Sequence, residues 1–528
     1  MRDAEVLIVG AGPTGLVLAL WLTRLGVRVR IVDKTAEQRT TSRALAVQAR
    51  TLELYDQLGL ADVVVERGRK MTAANLWVAR KQAARVPVGD MGEGISPFPY
   101  ALIFSQDEHE RLLIERLAEI DVHVERQTEL EAFEETGGGV RARLKRADGS
   151  PETCEAAYIA GCDGAHSTVR DALTIGFPGG TYTHLFYVAD VEASGMAMNG
   201  ELHAALDTTD FLVVFPLKQE RRARLIGTVR REAEEQHDNL SWDDVSQRVI
   251  EWMRIDVGRV RWFSTYRVHH RVADRFRTGR AFLLGDAAHI HSPVGGQGMN
   301  TGIGDAVNLA WKLAASVQRR ADPSILDSFE PERLAFAQRL VATTDRAFTG
   351  VTSDGPIARF VRLRLVPLII PGLFELASMR RVIFRTISQT SIHYRGSSLS
   401  EGRAGTVQGG DRLPWVSGGA NSRDAGNFKP LTSLDWQVHV YGDATPELRA
   451  ACDARRLALH VFPWRPETSR AGLQRDAAYL VRPDGYVALA DREGRGEPVA
   501  SYLDRRKITV ADRSTTIRAE RGRAASRP

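Results

Sequence analysis

The sequence predicts an α/β protein built from three units, and three observations support this fold class. The first is a strand, a glycine-rich turn, a helix and a second strand within residues 5–33. The second is a run of strand-like segments between residues 181 and 275, and the third is a strand, helix, strand and hairpin pattern between residues 436 and 489. A chain of 528 residues can hold several such units, because single cores rarely grow beyond ~250–300 residues.

The N-terminal segment has the pattern of a dinucleotide-binding turn. A buried strand over residues 5–9 precedes Gly10-Ala11-Gly12-Pro13-Thr14-Gly15, an apolar helix follows, and a strand over residues 27–32 ends at Asp33. The glycines permit the tight turn, the approach of a pyrophosphate and the packing of the helix, while the acid accepts from a ribose hydroxyl. A Rossmann-type unit is therefore predicted, with these cofactor-binding residues: Gly10, Gly12, Thr14, Gly15 and Asp33.

A second glycine-rich loop follows the apolar strand of residues 281–284. It reads Gly285-Asp286-Ala287-Ala288-His289 and continues through Pro293 into a helical pattern that starts with Gly298, Met299 and Asn300. Glycines let the backbone approach a ligand, and a helix N-terminus offers N–H donors and the positive end of a dipole. Taken alone, the segment could be an ordinary strand-to-helix connection. Combined with the N-terminal turn, it predicts a site for an anionic dinucleotide.

Between these two segments lies a third, Cys162-Asp163-Gly164-Ala165-His166-Ser167-Thr168-Val169-Arg170. With the three motifs in this order, the chain resembles the FAD-dependent aromatic hydroxylases, the class A flavoprotein monooxygenases with the p-hydroxybenzoate hydroxylase fold. The family more often has Glu at the position of Asp33. The resemblance implies a Rossmann-type FAD-binding domain with an inserted antiparallel-sheet substrate domain.

The resemblance also implies roles for individual residues. Asp163 would serve both FAD and nicotinamide binding, and Asp286 would contact the ribityl chain of FAD. Arg43 is implied beside the flavin, and Gln106 in the flavin or ribityl region. Without the resemblance, Arg43 reads as a solvated surface residue and Gln106 as an exposed residue of a first helical turn. Some family members carry an acid where this chain has Leu45, and no catalytic side chain is predicted.

Residues 405–510 resemble the thioredoxin-like C-terminal domain of the larger family members, in which the turn Arg482-Pro483-Asp484-Gly485 recurs. The redox CxxC motif is absent, so we expect packing or assembly from this domain. Residues 397–410 are rich in Gly and Ser and are predicted to form a linker. The expected boundaries are 1–180 and 276–400 for the two parts of the FAD-binding domain, 181–275 for the substrate sheet and 511–528 for a disordered tail.

The composition is that of an ordinary globular protein, with 26% charged and 43% hydrophobic residues. The net charge of +5 comes largely from the Arg-rich tail, so no nucleic-acid partner is predicted. The three cysteines and the pairs His269-His270 and His289/His291 lack metal-ligand spacing, and no metal is expected. The apolar stretch of residues 365–379 is interrupted and too short for a membrane span, and with no leader evident we expect a cytoplasmic location.

The resemblance implies an NAD(P)H-dependent hydroxylase. NADH or NADPH would reduce FAD, and a flavin C4a-hydroperoxide would deliver oxygen from O2 to an electron-rich carbon of a phenol, a phenylpropanoid acid or a polycyclic polyketide-like substrate. A homodimer is a further expectation. Two alternatives stay open at this point: a flavoprotein that inserts oxygen beside a ketone or reduces a double bond, and a non-catalytic FAD-binding protein.

Overall fold

The computed structural model describes residues 3–38, 44–78, 80–207, 211–229, 240–292, 294–352, 374–419 and 426–510, with a few positions between 355 and 372. Within these ranges the helices are α1 (Pro13–Arg24), α2 (Ala49–Asp56), α3 (Ala61–Arg67), α4 (Gln106–Ala118), α5 (Thr168–Ala172), α6 (Gln247–Trp252), α7 (Gly298–Val317), α8 (Phe329–Thr352), α9 (Ala377–Ile387), α10 (Pro446–Ala454), α11 (Pro466–Arg470) and α12 (Gly496–Arg505).

The strands of the same ranges are β1 (Val6–Val9), β2 (Val29–Asp33), β3 (Ala46–Val47), β4 (Arg69–Lys70), β5 (Ala73–Val78), β6 (Lys81–Pro87), β7 (Leu102–Ile103), β8 (Val124–Arg126), β9 (Glu129–Glu135), β10 (Val140–Lys145), β11 (Pro151–Ala156), β12 (Tyr158–Gly161), β13 (Gly179–Gly195), β14 (Leu202–Leu206), β15 (Phe211–Pro216), β16 (Arg222–Thr228), β17 (Ile255–Val272), β18 (Arg277–Thr278), β19 (Ala281–Leu283), β20 (His289–Ile290), β21 (Glu401–Ala404), β22 (Val407–Gln408), β23 (Gln437–Tyr441), β24 (Ala458–Phe462), β25 (Ala478–Val481) and β26 (Val487–Asp491).

A mostly parallel sheet with the strand order β18-β19-β12-β1-β2-β8, in which only β18 runs antiparallel to its neighbour, forms the centre of the first unit. β1 lies between β2 and β12 and runs parallel to both, and all four of its residues are buried. Since the carboxyl ends of parallel strands meet at one edge, the turns that follow β1, β12 and β19 come together there. The predicted α/β class with a Rossmann-type unit is confirmed. Two small antiparallel sheets, β11-β10-β9 and β3-β7-β4, flank this unit.

A large, mostly antiparallel sheet has the order β20-β17-β13-β16-β15-β14-β5-β6. It contains the predicted strands of residues 182–191, 211–217, 224–230 and 261–269 as parts of β13, β15, β16 and β17. β5 and β6 extend this sheet through a parallel pairing of β5 with β14. Both strands lie outside the predicted range of residues 181–275. α6 covers one face of the sheet through Val249, Ile250 and Met253.

The C-terminal unit contains a mixed sheet of order β22-β21-β26-β25-β23-β24. The predicted turn of residues 482–486 is confirmed, because it connects the antiparallel strands β25 and β26. The predicted linker over residues 397–410 is wrong: β21 and β22 form a hairpin there, and β21 pairs in parallel with β26. Gly405 in the turn of this hairpin and Gly402 within β21 have φ of +64° and +72°, which glycine adopts without strain.

Buried charges join the C-terminal unit to α7 and α8. The Arg482 guanidinium donates to both carboxylate oxygens of Glu332 at 2.8 and 3.1 Å, and Trp311 Nε1 donates to Asp484 at 3.1 Å. Lys312 donates to Glu332 at 2.8 Å, and burial lowers the pKa of this lysine to about 8. We call Trp311, Lys312, Glu332, Arg482 and Asp484 the ionic junction. Each of these side chains is buried, so the two units share one interior rather than a hydrated seam.

Candidate functional site

The three glycines of the first turn have different surroundings. Gly10 has φ +104°, and a Cβ there would lie 2.3 Å from the carbonyl oxygen of Cys162. A Cβ on Gly15 would lie 2.0 Å from the carbonyl oxygen of Gly10. At Gly12, by contrast, no heavy atom of the described residues lies within 4 Å of the Cβ position. Gly10 and Gly15 therefore permit close packing, while Gly12 borders open space directly before the N-terminus of α1, where a pyrophosphate fits.

Thr14 brings the first turn and the second glycine-rich loop into contact. A Cβ added to Gly285 would lie 2.7 Å from its hydroxyl oxygen, and one added to Gly302 would lie 2.3 Å from it. The first turn of α1 thus packs directly on the start of the loop and on α7. Segments that are far apart in the sequence form one concave surface.

Asp33 ends β2 beside the first turn. Its carboxylate accepts from the Ala11 amide at 2.7 Å and from the Thr35 amide at 2.8 Å. Burial opposes ionisation, but the hydrogen bonds from Thr35 and Ala11 and the charge of Arg126 hold the pKa of Asp33 below its ordinary value. A carboxylate that stays ionised here is a suitable acceptor for ribose hydroxyls.

Asp163 follows β12 at the same edge of the sheet. One carboxylate oxygen accepts from the Val169 amide at 3.2 Å, and the other is buried with no hydrogen-bond partner in the described part of the chain. Burial raises the pKa of Asp163. An unsatisfied buried acceptor costs free energy, so this oxygen fits a ligand hydroxyl. The neighbouring Cys162 is buried, and burial raises the pKa of its thiol well above the ordinary value, as is typical of a packed cysteine.

The second glycine-rich loop begins with a buried Gly285 in the left-handed region, φ +57°, followed by an exposed Asp286. Gly295 and Gly296 are also left-handed, at +76° and +63°, and carry the chain to the N-terminus of α7 at Gly298. Gly298 and Met299 are half-buried in the first turn of α7. The loop thus presents one carboxylate and the unpaired amides of a 20-residue helix to the same region.

Asn300 holds the loop in place. Its side-chain oxygen accepts from the Gln48 amide at 2.9 Å and the Thr51 hydroxyl at 2.7 Å, and its nitrogen donates to the carbonyls of Ala46 and Gly296 at 2.9 and 2.7 Å. The amide therefore has a full set of protein partners. A direct contact between this residue and a cofactor would use its backbone N–H.

Gln106 starts α4 and is half-buried. Its backbone N–H donates to the Ala44 carbonyl at 3.2 Å, and its side chain donates to Glu110 at 2.8 Å. The spacing of Ser105 and Glu108 in the sequence predicts a capping box; Ser105 does occupy the N-cap position, but its side chain makes no capping hydrogen bond to the helix. Gln106 is thus tied to the segment that begins at residue 44. Arg43, Pro293 and the tail at 511–528 lie outside the described residues.

One face of the large sheet carries a row of half-buried apolar side chains. Phe211, Val213 and Phe215 are half-buried, whereas the alternating Leu212 and Val214 are buried towards α6. These three residues share one face, as the alternation of side chains along a strand predicts. Phe215 packs against the cluster of Leu45, Ile103 and Leu217, so this face meets the segment after residue 44.

Sequence reasoning missed the buried groups beneath the second loop. Asp305 of α7 is fully buried and accepts from the Gly285 amide, from His289 and from Arg333. The available signal was an acid within the apolar run of residues 303–315. Within the described residues no cluster of three or more His, Cys, Asp or Glu could hold a metal, and no helix is long and apolar enough to cross a membrane.

Comparisons with known proteins agree with this geometry. Residues 3–344 match the family model described as FAD binding domain. The 6-methylpretetramide 4-monooxygenase of Streptomyces rimosus is 33% identical over 520 residues, covering 92% of this chain and 90% of the relative. Pentachlorophenol 4-monooxygenase of Sphingobium chlorophenolicum is 30% identical over 548 residues, covering 96% and 98%. The OxyS anhydrotetracycline hydroxylase from Streptomyces rimosus superposes with a TM-score of 0.76 at 28% identity, covering 97% of this chain and all of that one.

The structure combines a dinucleotide turn, a second loop at a helix N-terminus and an inserted apolar sheet. This combination is typical of flavin-dependent oxygenases, and the names of the relatives agree with that class. The chain belongs to the FAD-dependent aromatic hydroxylases of class A. It is a flavoprotein monooxygenase with FAD as cofactor and NAD(P)H as the co-substrate typical of the family. The reductase and non-catalytic alternatives are not favoured, because these relatives are named as monooxygenases or a hydroxylase. The residues present fit FAD: open space faces Gly12, and one buried carboxylate oxygen of Asp163 has no hydrogen-bond donor among the described residues.

Proposed function

We propose that this monooxygenase hydroxylates a polycyclic aromatic substrate of polyketide type. The proposal is supported by relatives that match over almost the whole chain and are named for 6-methylpretetramide and anhydrotetracycline. The single observation in the molecule that carries it is the half-buried row of Phe211, Val213 and Phe215 on the large sheet. A flat apolar ring system buries its surface against such a wall, at about 25 cal/mol per Å² of apolar area removed from water.

We assign the cofactor contacts as follows. Gly10, Gly12 and Gly15 with the N-terminus of α1 hold the pyrophosphate, Asp33 holds the ribose, and Asp163 accepts from a hydroxyl of the cofactor. Asp286 contacts the ribityl chain. The N-terminal amides of α7, at Gly298, Met299 and Asn300, lie towards the flavin ring and favour negative charge on it.

FAD supplies the activation of O2, and the protein positions the reactants and excludes water from the site. The apolar sheet face orients the substrate and keeps water from the reacting region, which strengthens the electrostatic effects of the helix N-terminus. We assign no catalytic base. A phenolate reacts faster than a phenol, so the reaction requires a proton acceptor for the substrate hydroxyl, and mutagenesis is the way to find it.

A monocyclic phenol is the second candidate substrate, because the relative named for pentachlorophenol covers the chain equally well. The test is oxidation of NADPH and of NADH by the purified yellow protein, with polycyclic polyketide aromatics and simple phenols compared side by side. We expect polycyclic compounds to stimulate oxidation and to yield a product 16 mass units heavier with little hydrogen peroxide. Stimulation by simple phenols alone would contradict the polycyclic assignment, and peroxide without product would contradict both.

The predicted homodimer and the predicted cytoplasmic location are retained as proposals. Light scattering of the purified protein checks the first, since a dimer has twice the 58.4 kDa of one chain. Fractionation of the source cells checks the second.

A further inference from the structure

Asp305 lies beneath the second glycine-rich loop, in the second turn of α7. One of its carboxylate oxygens accepts from the Gly285 amide at 3.0 Å and from Nε2 of His289 at 2.7 Å. The other oxygen accepts from Nε of Arg333 at 2.6 Å. The side chain is fully buried, so all of its partners come from the protein.

The two loop partners of Asp305 are the two ends of one turn. Gly285 and His289 bracket Asp286, the residue assigned to the ribityl chain, and Gly285 is held in the left-handed region with φ +57°. A buried backbone N–H without a partner would cost about 1–3 kcal/mol. Binding both ends to one carboxylate therefore restricts the turn to the conformation that exposes Asp286.

Arg333 in turn holds Asp305. This guanidinium of α8 is buried, and it also donates to the Tyr394 hydroxyl at 2.8 Å and to the Thr301 carbonyl at 3.0 Å. Burial opposes ionisation of Asp305, but the charges of Arg333 and His289 and the hydrogen bonds hold its pKa below the ordinary value. The carboxylate is consequently a charged acceptor for all three donors.

We propose that Asp305 is a positioning residue for the cofactor: with His289 and Arg333 it holds the loop of Asp286 in its FAD-binding conformation before FAD arrives. The inference rests on the assignment of this loop to FAD and adds residues that do not contact the cofactor themselves. Preorganisation of this kind lowers the free-energy cost of binding, because the loop is ordered beforehand.

The first test is the variant Asp305→Asn, which keeps the shape and replaces a charged acceptor by an amide that must turn an N–H towards one of its donors. FAD affinity is measured by titrating the apo-protein and following the quenching of flavin fluorescence, with visible circular dichroism of the bound flavin as a second signal. We expect the Kd for FAD to rise roughly 10- to 100-fold, the range found when outer partners of a bound group are removed, and the dichroism to change.

The matched control is Glu53→Gln. Glu53 is also buried in an ion pair, with Arg50 and Arg412, and has no hydrogen bond to the loop of Asp286. Both variants should lower the thermal midpoint of the apo-protein, and only Asp305→Asn should weaken FAD binding beyond that. Equal effects of the two variants on FAD affinity, or an unchanged Kd in Asp305→Asn, would overturn the inference.

His289 provides a milder test in case Asp305→Asn does not fold. His289→Gln retains an N–H donor near the position of Nε2, whereas His289→Leu removes it. We expect His289→Leu to weaken FAD binding and His289→Gln to retain most of the affinity; equal losses would contradict the inference. Asp286→Asn separates the two proposals: no change in its Kd would remove the loop from the FAD site altogether, whereas a loss in Asp286→Asn with none in Asp305→Asn removes only the present inference.

Discussion

Gly10 and Gly12 belong to the same turn, yet their replacement by alanine should have opposite consequences. In Gly10→Ala the new methyl group would meet the Cys162 carbonyl at 2.3 Å with the backbone at φ +104°. We expect the apo-protein to lose at least about 1–3 kcal/mol of stability. In Gly12→Ala the methyl group enters open space, so the apo-protein should melt as the wild type does while FAD binds more weakly.

Thermal melts of both apo-proteins and FAD titrations check this contrast. A Gly12→Ala variant with unchanged FAD affinity would show that the open space at Gly12 is not the pyrophosphate site, and a stable Gly10→Ala variant would contradict the close packing described at Gly10. The two variants serve as controls for each other.

Replacement of Asp163 by asparagine should stabilise the apo-protein and weaken FAD binding. Burial raises the pKa of Asp163 in the folded chain, so the folded state binds a proton more readily than the unfolded state. Stability therefore falls as the pH rises from the ordinary Asp pKa through the folded pKa, where the buried carboxylate ionises. Asp163→Asn removes this cost. We expect the apo-protein of this variant to gain roughly 1 kcal/mol at pH 7, to lose that advantage below the ordinary Asp pKa, and to bind FAD less tightly.

Urea denaturation of apo-Asp163→Asn at pH 7 and at acid pH, beside the wild type, measures the effect. A variant that is less stable than the wild type at pH 7 would contradict the reasoning. Such a result would mean that the buried oxygen has a partner within the apo-protein.

At the scale of elements, one amide connects the start of α7 with the segment before α2. Asn300→Ala removes four hydrogen bonds, two accepted and two donated, that join Ala46, Gln48, Thr51 and Gly296. At a net ~1 kcal/mol per bond, we expect a loss of about 2–4 kcal/mol. Denaturant unfolding measures this, and Asn300→Asp should lose at least as much, because it buries a carboxylate oxygen against the carbonyls of Ala46 and Gly296. A variant Asn300→Asp as stable as the wild type would contradict the donated bonds.

The elements that the sequence predicted well are those specified by local rules. The turn of residues 10–15 requires glycine at fixed spacing, and the hairpins at residues 137–139 and 482–486 have turn residues between alternating strands. The addition of β5 to β14 joins residues about 130 positions apart, and nothing in residues 73–78 indicates that partner. The hairpin β21–β22 looked like a linker because its glycines suit both structures equally.

The residues of the candidate site show the same difference between local sequence patterns and long-range packing. The residues assigned to direct cofactor contacts, such as Gly12, Asp33 and Asp286, belong to motifs and were therefore predicted from the sequence. The residues that hold them, such as Asp305 and Arg333, are 28 positions apart and meet only because α7 packs on α8. Tertiary packing determines such contacts, so local patterns could indicate only that a buried acid must have a partner.

For the whole molecule, the ionic junction predicts a single unfolding transition. Arg482→Met leaves Glu332 with the partly compensating charge of Lys312 and leaves Asp484 without its guanidinium. Breaking one partner of a buried ion pair typically costs about 3–5 kcal/mol. We expect the wild type to melt in one calorimetric transition and Arg482→Met to melt at lower temperature, with the C-terminal unit separating first.

Calorimetry with limited proteolysis identifies the unit that opens. A further variant that combines Arg482→Met with Asp484→Asn should recover part of the loss, because it neutralises the carboxylate that has lost its guanidinium. Two independent transitions in the wild type would contradict the coupling, as would additive losses in the double variant.

The ionic junction also limits how this enzyme can be recombined with its relatives. Each unit supplies one positive and one negative charge: Arg482 and Asp484 come from the C-terminal unit, Lys312 and Glu332 from α7 and α8. A chimaera that receives a foreign C-terminal unit therefore keeps only two of these four interacting charges. Successful grafts should be those that carry the helix residues along with the unit.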